Sequence, residues 1–419
     1  METYQYSKSQ KLFSRASEII PCGIYGHLGP AEACMIPVSA FPFYVDHAKG
    51  SHFWDIDGND FIDYMCAYGP NVLGYADPDV EAAAHKQAEI GNCTTLASPK
   101  MVELAELLVD TIESAEWAFF AKNGGDVTNL AMLTARAATG RKKIIKFNGG
   151  YHGVAPWMTA LGYPGVIEED MCNVISVPFN DLEAVRRAIE ENPGNVACVI
   201  GTPYHHPAFA DSEMPVEGFW KGVRELCDKN GIVLIFDDVR CGFRLDIKGS
   251  DHHFGIKADL SCYCKALANG YNISALVGRQ ELKSAVGSVF YTGSYWLSAV
   301  PMAAAVACIH KMRELNAAER MLDLGEKFEK VMCAAAEAEG FKLHFTGASS
   351  MPFMRLEDDP NHSIHQAFIA ECVRRGAFFA NHHNNFINCA LSEEDIRHTG
   401  EIAAEAFRAV KKDHADLLK

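Results

Sequence analysis

The chain has 419 residues, 48% hydrophobic and 22% charged, with 38 basic against 54 acidic side chains and a net charge of −16. That length suggests two or three domains around a sizeable core, and the acidic balance argues against a nucleic acid or an anionic membrane as partner, since both need a basic surface. The 14 cysteines are scattered without a CxxC pair, so they read as free thiols of a reducing, cytoplasmic compartment rather than a disulfide framework or zinc site.

The opening stretch METYQYSKSQ has no apolar signal core, and a short helix is predicted from Ser7 to Ile20, followed by a Gly- and Pro-bearing loop from Pro21 to Pro30. From Phe43 to Met65, short alternating runs are punctuated by the hairpin signals Lys49-Gly50 and Asp57-Gly58. The stretch Asp55-Ile56-Asp57-Gly58-Asn59-Asp60 resembles a fragment of a calcium loop, but it lacks the full spacing and the closing Glu, so a hairpin turn is predicted. From about Asp77 to Cys308, helical stretches such as Pro99–Ile112 and Leu182–Glu191 alternate with apolar runs. Those runs include Trp117–Phe120, Ile144–Phe147, Val196–Ile200, Val233–Phe236 and Ile273–Val277. Apolar runs alternating with helices predict a mostly parallel sheet covered on both faces. The longest clean apolar run, Ala299 to Ile309, is too short to span a bilayer. The last hundred residues carry a long helix at about Ala317–Glu339, strand-like pieces at Lys342–Thr346 and Phe353–Leu356, and two more helices, which reads as a smaller α+β domain. The expected domains are an N-terminal segment 1–70 packing with the small domain, a large domain 71–318 and a small domain 319–419.

Four local features carry chemistry. The run VLIFDDVRCGF is a buried strand ending at Asp237 and Asp238, and ligands in open α/β sheets bind at the carboxyl ends of strands. Twenty-eight residues after Asp237, Lys265 follows the apolar run Leu260–Cys264. There it would be partly desolvated, which lowers a lysine's pKa and makes it a usable nucleophile; the plainer alternative is a snorkelling surface lysine. Asn123-Gly124-Gly125 lies between the run Trp117–Phe120 and a helical stretch Val127–Thr139, where backbone N–H groups and a helix N-terminus can cradle a phosphate. Tyr151 and His152 sit in a Gly-rich loop after Ile144–Phe147, where an aromatic ring can stack on a flat ligand. Each alone reads as a turn, cap or loop. In this order they form the equipment for pyridoxal 5′-phosphate (PLP), which needs a Schiff-base lysine and an acid beside its ring nitrogen.

Over nearly the whole chain the sequence resembles the class III aminotransferases of fold type I, in the glutamate-1-semialdehyde aminomutase-like branch. The resemblance runs through YVDHAKGSHFWDIDGNDFIDYM, NGGDVTNLAMLTARAATGRKKIIKFNGGYHG, FDDVRCGF and ADLSCYCKALANG. It implies an α/β fold, with a large mostly parallel mixed sheet, helices on both faces, and a small α+β domain formed by both chain ends. It implies that Lys265 carries PLP and shuttles protons, and that Asp237 pairs with the ring nitrogen. Tyr151 would stack on the ring with Val239 on its other face, His152 would lie beside it, and Asn123, Gly124 and Gly125 would bind the phosphate. Ser294, with Thr292 as the fallback, would reach the cofactor phosphate of a second copy in a homodimer with shared active sites. The small-molecule partners would be an amino donor and a keto-acid acceptor, with an aminomutase, racemase or epimerase as the rival activity and a non-enzymatic protein of the same fold as a distant one.

The departures from the family pattern are informative. The phosphate loop usually reads Ser-Gly-Thr or Ser-Gly-Ser, so Asn123-Gly124-Gly125 loses a hydroxyl contact. The polar group expected near the ring hydroxyl is absent from Thr202–Pro207, where His205 or His206 is the candidate replacement. The N-terminal loop that carries a substrate-binding Arg in true aminomutases reads Gly23-Ile24-Tyr25-Gly26-His27, and the usual active-site Trp is matched by Tyr68. An aromatic pocket with Tyr25, Tyr68 and Trp157, and without that cation, predicts an apolar or aryl amino substrate. No metal is expected, because the adjacent pairs His205-His206, His252-His253 and His382-His383 point to opposite faces of an extended chain.

Overall fold

The computed structural model describes residues 1–24, 36–207 and 210–418. In chain order its strands begin with β1 (Val45–Lys49), β2 (His52–Asp55) and β3 (Asp60–Asp63). Next come β4 (Trp117–Ala121), β5 (Lys143–Phe147), β6 (Val174–Val177), β7 (Val196–Gly201), β8 (Val233–Asp237), β9 (Leu260–Tyr263) and β10 (Ser274–Gly278). The last are β11 (Leu343–Thr346), β12 (Phe353–Leu356) and β13 (Ala377–Phe378). The chain divides into two compact units, one of Met1–Asp77, Ala208–Ser212 and Arg320–Lys419, the other of Pro78–Pro207 and Glu213–Glu319.

The second unit is built on a seven-stranded sheet in the order β4-β10-β9-β8-β7-β5-β6. Its strands are apolar throughout because both faces are covered. Ile145, Phe147, Val199, Leu234 and Phe236 pack into one core with Phe179, Phe219 and Trp220. Their chain neighbours Ile144, Cys198, Ile200, Val233 and Ile235 pack into the other with Val127, Leu130 and Ala131. Strands β5 to β9 pair in parallel, whereas β10 runs antiparallel to both β4 and β9. The large sheet is therefore mostly parallel and mixed. Strand direction has no local signature in an apolar run, so only the pairing reveals the reversal at β10.

In the first unit, β1-β2-β3 form an antiparallel meander that β13 extends by pairing in parallel with β3, Ala377 opposite Ile62. The turn after β2 is closed by the Asp55 carboxylate, whose Oδ1 accepts from the Asp57 and Asn59 N–H groups at 3.0 and 2.8 Å. Helices Ser363–Val373 and Glu393–Asp413 pack through Phe368 stacked on Phe407, ring centroids 4.0 Å apart. The first helix stops at Ala16, before the predicted Ile20. The helix expected from Val127 starts three residues earlier, at Gly124. Asn123 is extended, and the Asp126 carboxylate accepts from the Lys122 and Asn123 N–H groups at 3.2 and 2.8 Å, which satisfies donors at the helix entry.

Candidate active site

The candidate site lies at the carboxyl ends of β4, β5, β8 and β9 in the second unit. Asp237 is the last residue of β8 and 4% exposed. Its Oδ2 accepts from His152 Nδ1 at 2.7 Å, and its Oδ1 from the Val239 N–H at 3.2 Å. That contact puts the proton of His152 on Nδ1. His152 Nε2 is buried and makes no hydrogen bond among the described residues. The loop carrying His152 is tied down by Thr128, whose Oγ1 donates to the His152 carbonyl at 2.5 Å. A buried carboxylate steered by an imidazole can hold an adjacent ring nitrogen in its charged form.

Strand β9 lies beside β8 in parallel, with Cys262 opposite Asp237. Lys265 follows two residues after the end of β9, half-buried, with φ +36°. A non-glycine residue in that region is strained, and such strain gathers at functional sites. Burial pulls the Lys265 ammonium down to about 8, the neighbouring Arg240 guanidinium adds to the fall, and Cys264, Asp237 and Cys241 oppose it. Arg240 is itself lowered to about 10 by burial.

Gly124 and Gly125 are the first two residues of the helix Gly124–Thr139. A Cβ on Gly124 would sit 2.7 Å from Val239 Cγ1, so the strand-end valine occupies the space a side chain would need. Gly153, at φ +114°, lies with its own Cβ position 2.8 Å from the Gly125 Cα. Two glycines thus let the loop 149–153 close over the helix entry. Tyr151, in that loop, is 66% exposed, and burial and the nearby Asp237 carboxylate raise its pKa. The His205 ring stacks on Phe179 with centroids 5.5 Å apart, and burial lowers its pKa. It lies beside the Gly-rich loop, 3.4 Å from where a Gly149 Cβ would be.

Thr292, Ser294 and Tyr68 lie on other segments of the chain. Thr292 and Ser294 are exposed on the same unit. The Ser294 carbonyl accepts from the Cys93 thiol at 3.5 Å. Tyr68 belongs to the first unit, on a turn where Cys66, Ala67 and Tyr68 are all left-handed, with φ of 46°, 55° and 64°. The Asp63 carboxylate holds that turn by accepting from the Met65 and Cys66 N–H groups at 2.7 and 3.1 Å, and the Tyr68 ring meets His383 edge-on at 5.3 Å. Tyr25 lies outside the described residues. Trp157 is partly buried against the core around Met132 and Ile144, with the Arg136 guanidinium 5.1 Å from its ring centroid. Unforeseen were the Asp237–His152 bond, the Thr128 tether, and Arg240 beside Lys265. A His next to the stacking Tyr was a visible signal for the first; the others depend on long-range packing.

These residues fit PLP: a glycine helix entry for the phosphate, a buried steered acid, an exposed ring and a desolvated lysine on adjoining strand ends. The fold and site together define a fold type I PLP-dependent enzyme. Residues 35–394 match the class-III aminotransferases, and the chain belongs to that family. The chain is 39% identical over 411 residues to an aminopentol aminotransferase of Sphingopyxis macrogoltabida, covering 98% of this chain and 96% of that one. It is 31% identical over 442 residues to a glutamate-1-semialdehyde 2,1-aminomutase of Desulforamulus reducens, covering 97% and 99%. The solved PLP form of the FumI protein of Sphingopyxis sp. MTA144 superimposes with a TM-score of 0.94 at 39% identity, over 98% of both chains. The chain is thus a PLP-dependent aminotransferase acting on small-molecule amino donors and keto acids. Among the described residues no helix is long and apolar enough to cross a membrane.

Proposed function

We propose that this enzyme moves an amino group from an apolar, aryl or alkyl amine, or a non-standard amino acid, to a keto acid in a ping-pong cycle centred on Lys265. The observation that carries this reading is the pairing of adjacent strand ends, with Asp237 steered by His152 on β8 and a desolvated Lys265 beyond β9. Asp237 keeps the cofactor's ring nitrogen protonated, and His152 fixes the carboxylate's orientation. Tyr151 would stack on one ring face with Val239 on the other, while Gly124, Gly125 and Asn123 would hold the phosphate. Once bound, PLP supplies an electron sink and a carrier for the amino group. With PLP bound, the Lys265 amine would take the proton from the donor's α-carbon and deliver it to the cofactor's carbonyl-derived carbon, so that the amino group stays on the cofactor and the donor leaves as a carbonyl compound. Arg240, beside Lys265, is suited to the acceptor's carboxylate.

The aromatic residues Tyr25 and Tyr68, in place of the expected Arg and Trp, and His205 favour an apolar donor. The Sphingopyxis relative is named for an amine rather than for glutamate semialdehyde, which favours an amine donor here as well. The aminomutase relative keeps the rival reading in view. A panel of amines and amino acids offered without an acceptor separates the two. A transaminase releases a carbonyl product and leaves the cofactor in its amine form, read by absorbance. Formation of 5-aminolevulinate with a specificity constant above that of every amine would overturn the proposal.

We further propose a homodimer in the cytoplasm. Residues 90–96 and 290–299 are joined by Asn92, whose carbonyl and Oδ1 accept from the Ala299 and Val300 N–H groups at 2.9 and 3.0 Å. They expose Ile90, Leu96, Phe290 and Tyr295 beside Ser294, a surface suited to a second copy. The thirteen cysteines of the described residues are all free, which suits a reducing compartment.

A further inference from the structure

Lys122 follows the last residue of β4 and immediately precedes Asn123-Gly124-Gly125. It is only 6% exposed, and its Nζ is buried without a hydrogen-bond partner among the described residues. Its backbone is pinned on both sides. The N–H donates to Asp126 Oδ2 at 3.2 Å, and the carbonyl accepts from the Cys264 thiol at 3.9 Å. Lysines are almost never buried unless paired, because stripping water from an ammonium is costly. Burial accordingly lowers its pKa, and the Cys93 thiol is the one group that opposes the fall. That thiol donates to the carbonyl of Ser294, whose own hydroxyl is assigned to the cofactor phosphate of the second copy. The ammonium therefore lacks an anion, in a stretch whose usual hydroxyl is missing at Gly125.

We propose that Lys122 is a phosphate-binding residue whose ammonium pairs with the phosphate of PLP and replaces the lost hydroxyl contact. This rests on the reading of Gly124-Gly125 as the phosphate cradle. A charged hydrogen bond from a desolvated ammonium to a phosphate contributes roughly ten- to a hundredfold in affinity.

The test is the dissociation constant of the apoprotein for PLP and for pyridoxal, which lacks the phosphate, in wild type, Lys122→Met and Lys122→Gln. Wild type should prefer PLP. Both variants should lose roughly ten- to a hundredfold of PLP affinity with pyridoxal affinity unchanged. The Met variant should melt no lower than wild type as apoprotein, since it removes an unpaired buried charge. A wild type that does not prefer PLP would dismiss the cradle reading itself. A wild type that does, with the preference intact in both variants, overturns the role of Lys122 alone. Weaker dimers with an unchanged preference would also overturn it, showing that the ammonium meets a carboxylate of the partner subunit.

Discussion

At Asp237 one carboxylate oxygen is committed to His152 and, among the described residues, the other only to the Val239 N–H at 3.2 Å, which leaves it capacity to accept from a further proton donor. Asp237→Asn keeps the shape but removes the charge, and it should fold normally while turning over about a hundredfold more slowly. Near-normal steady-state rates would refute the role. Lys265 gives a pH prediction. Only its neutral amine can attach the cofactor, and its pKa lies near 8 instead of 10.5. The rate of covalent loading of apoprotein should therefore climb with pH, bend at about 8 and be flat above. A climb continuing toward 10.5, in stopped-flow absorbance, would mean an ordinary solvated lysine. Both residues were legible in the sequence because a charged group directly after a buried apolar run is conspicuous. Their partners were not, since His152 and Arg240 are brought in by loops whose course depends on the whole sheet, and no local signal separates a buried Lys122 from a snorkelling one.

Among the elements, the helix Gly124–Thr139 is seated by contact between its first glycine and Val239. Gly124→Ala should destabilise the protein by about 1–3 kcal/mol through overpacking and weaken cofactor retention. Adding Val239→Ala should recover most of the melting temperature, and failure of that rescue would place the cost elsewhere. The left-handed turn at Cys66–Tyr68 behaves in the opposite sense. Ala67 is exposed with φ 55°, a conformation that costs an L-residue roughly 1–2 kcal/mol. Ala67→Gly should thus leave stability equal or raise it by up to about 1 kcal/mol, despite glycine's greater freedom when unfolded. A loss of more than about 1 kcal/mol in denaturant titration would show that the turn is unstrained. The strands of the large sheet were readable from their apolar runs. The helix entry was placed three residues late because a Gly-Gly pair reads locally as loop, whereas Asp126 caps it into the helix.

For the whole molecule, the surface around Ser294 carries the assembly proposal. Phe290 is 94% exposed, and Phe290→Glu should convert the dimer into a species sedimenting at 46.0 kDa that has lost most of its cofactor. A PLP-loaded, active monomer would refute shared sites. The unit built from both chain ends has a different kind of consequence, in the timing of synthesis. Strand β3 leaves the ribosome early, but its parallel neighbour β13 lies 315 residues further along, Ala377 opposite Ile62. At roughly 5–20 residues per second, that edge stays unpaired for about 15–60 seconds while the intervening sheet folds. Until β13 is made, the β3 edge is an open row of backbone donors and acceptors, ready to pair with a strand of another nascent chain.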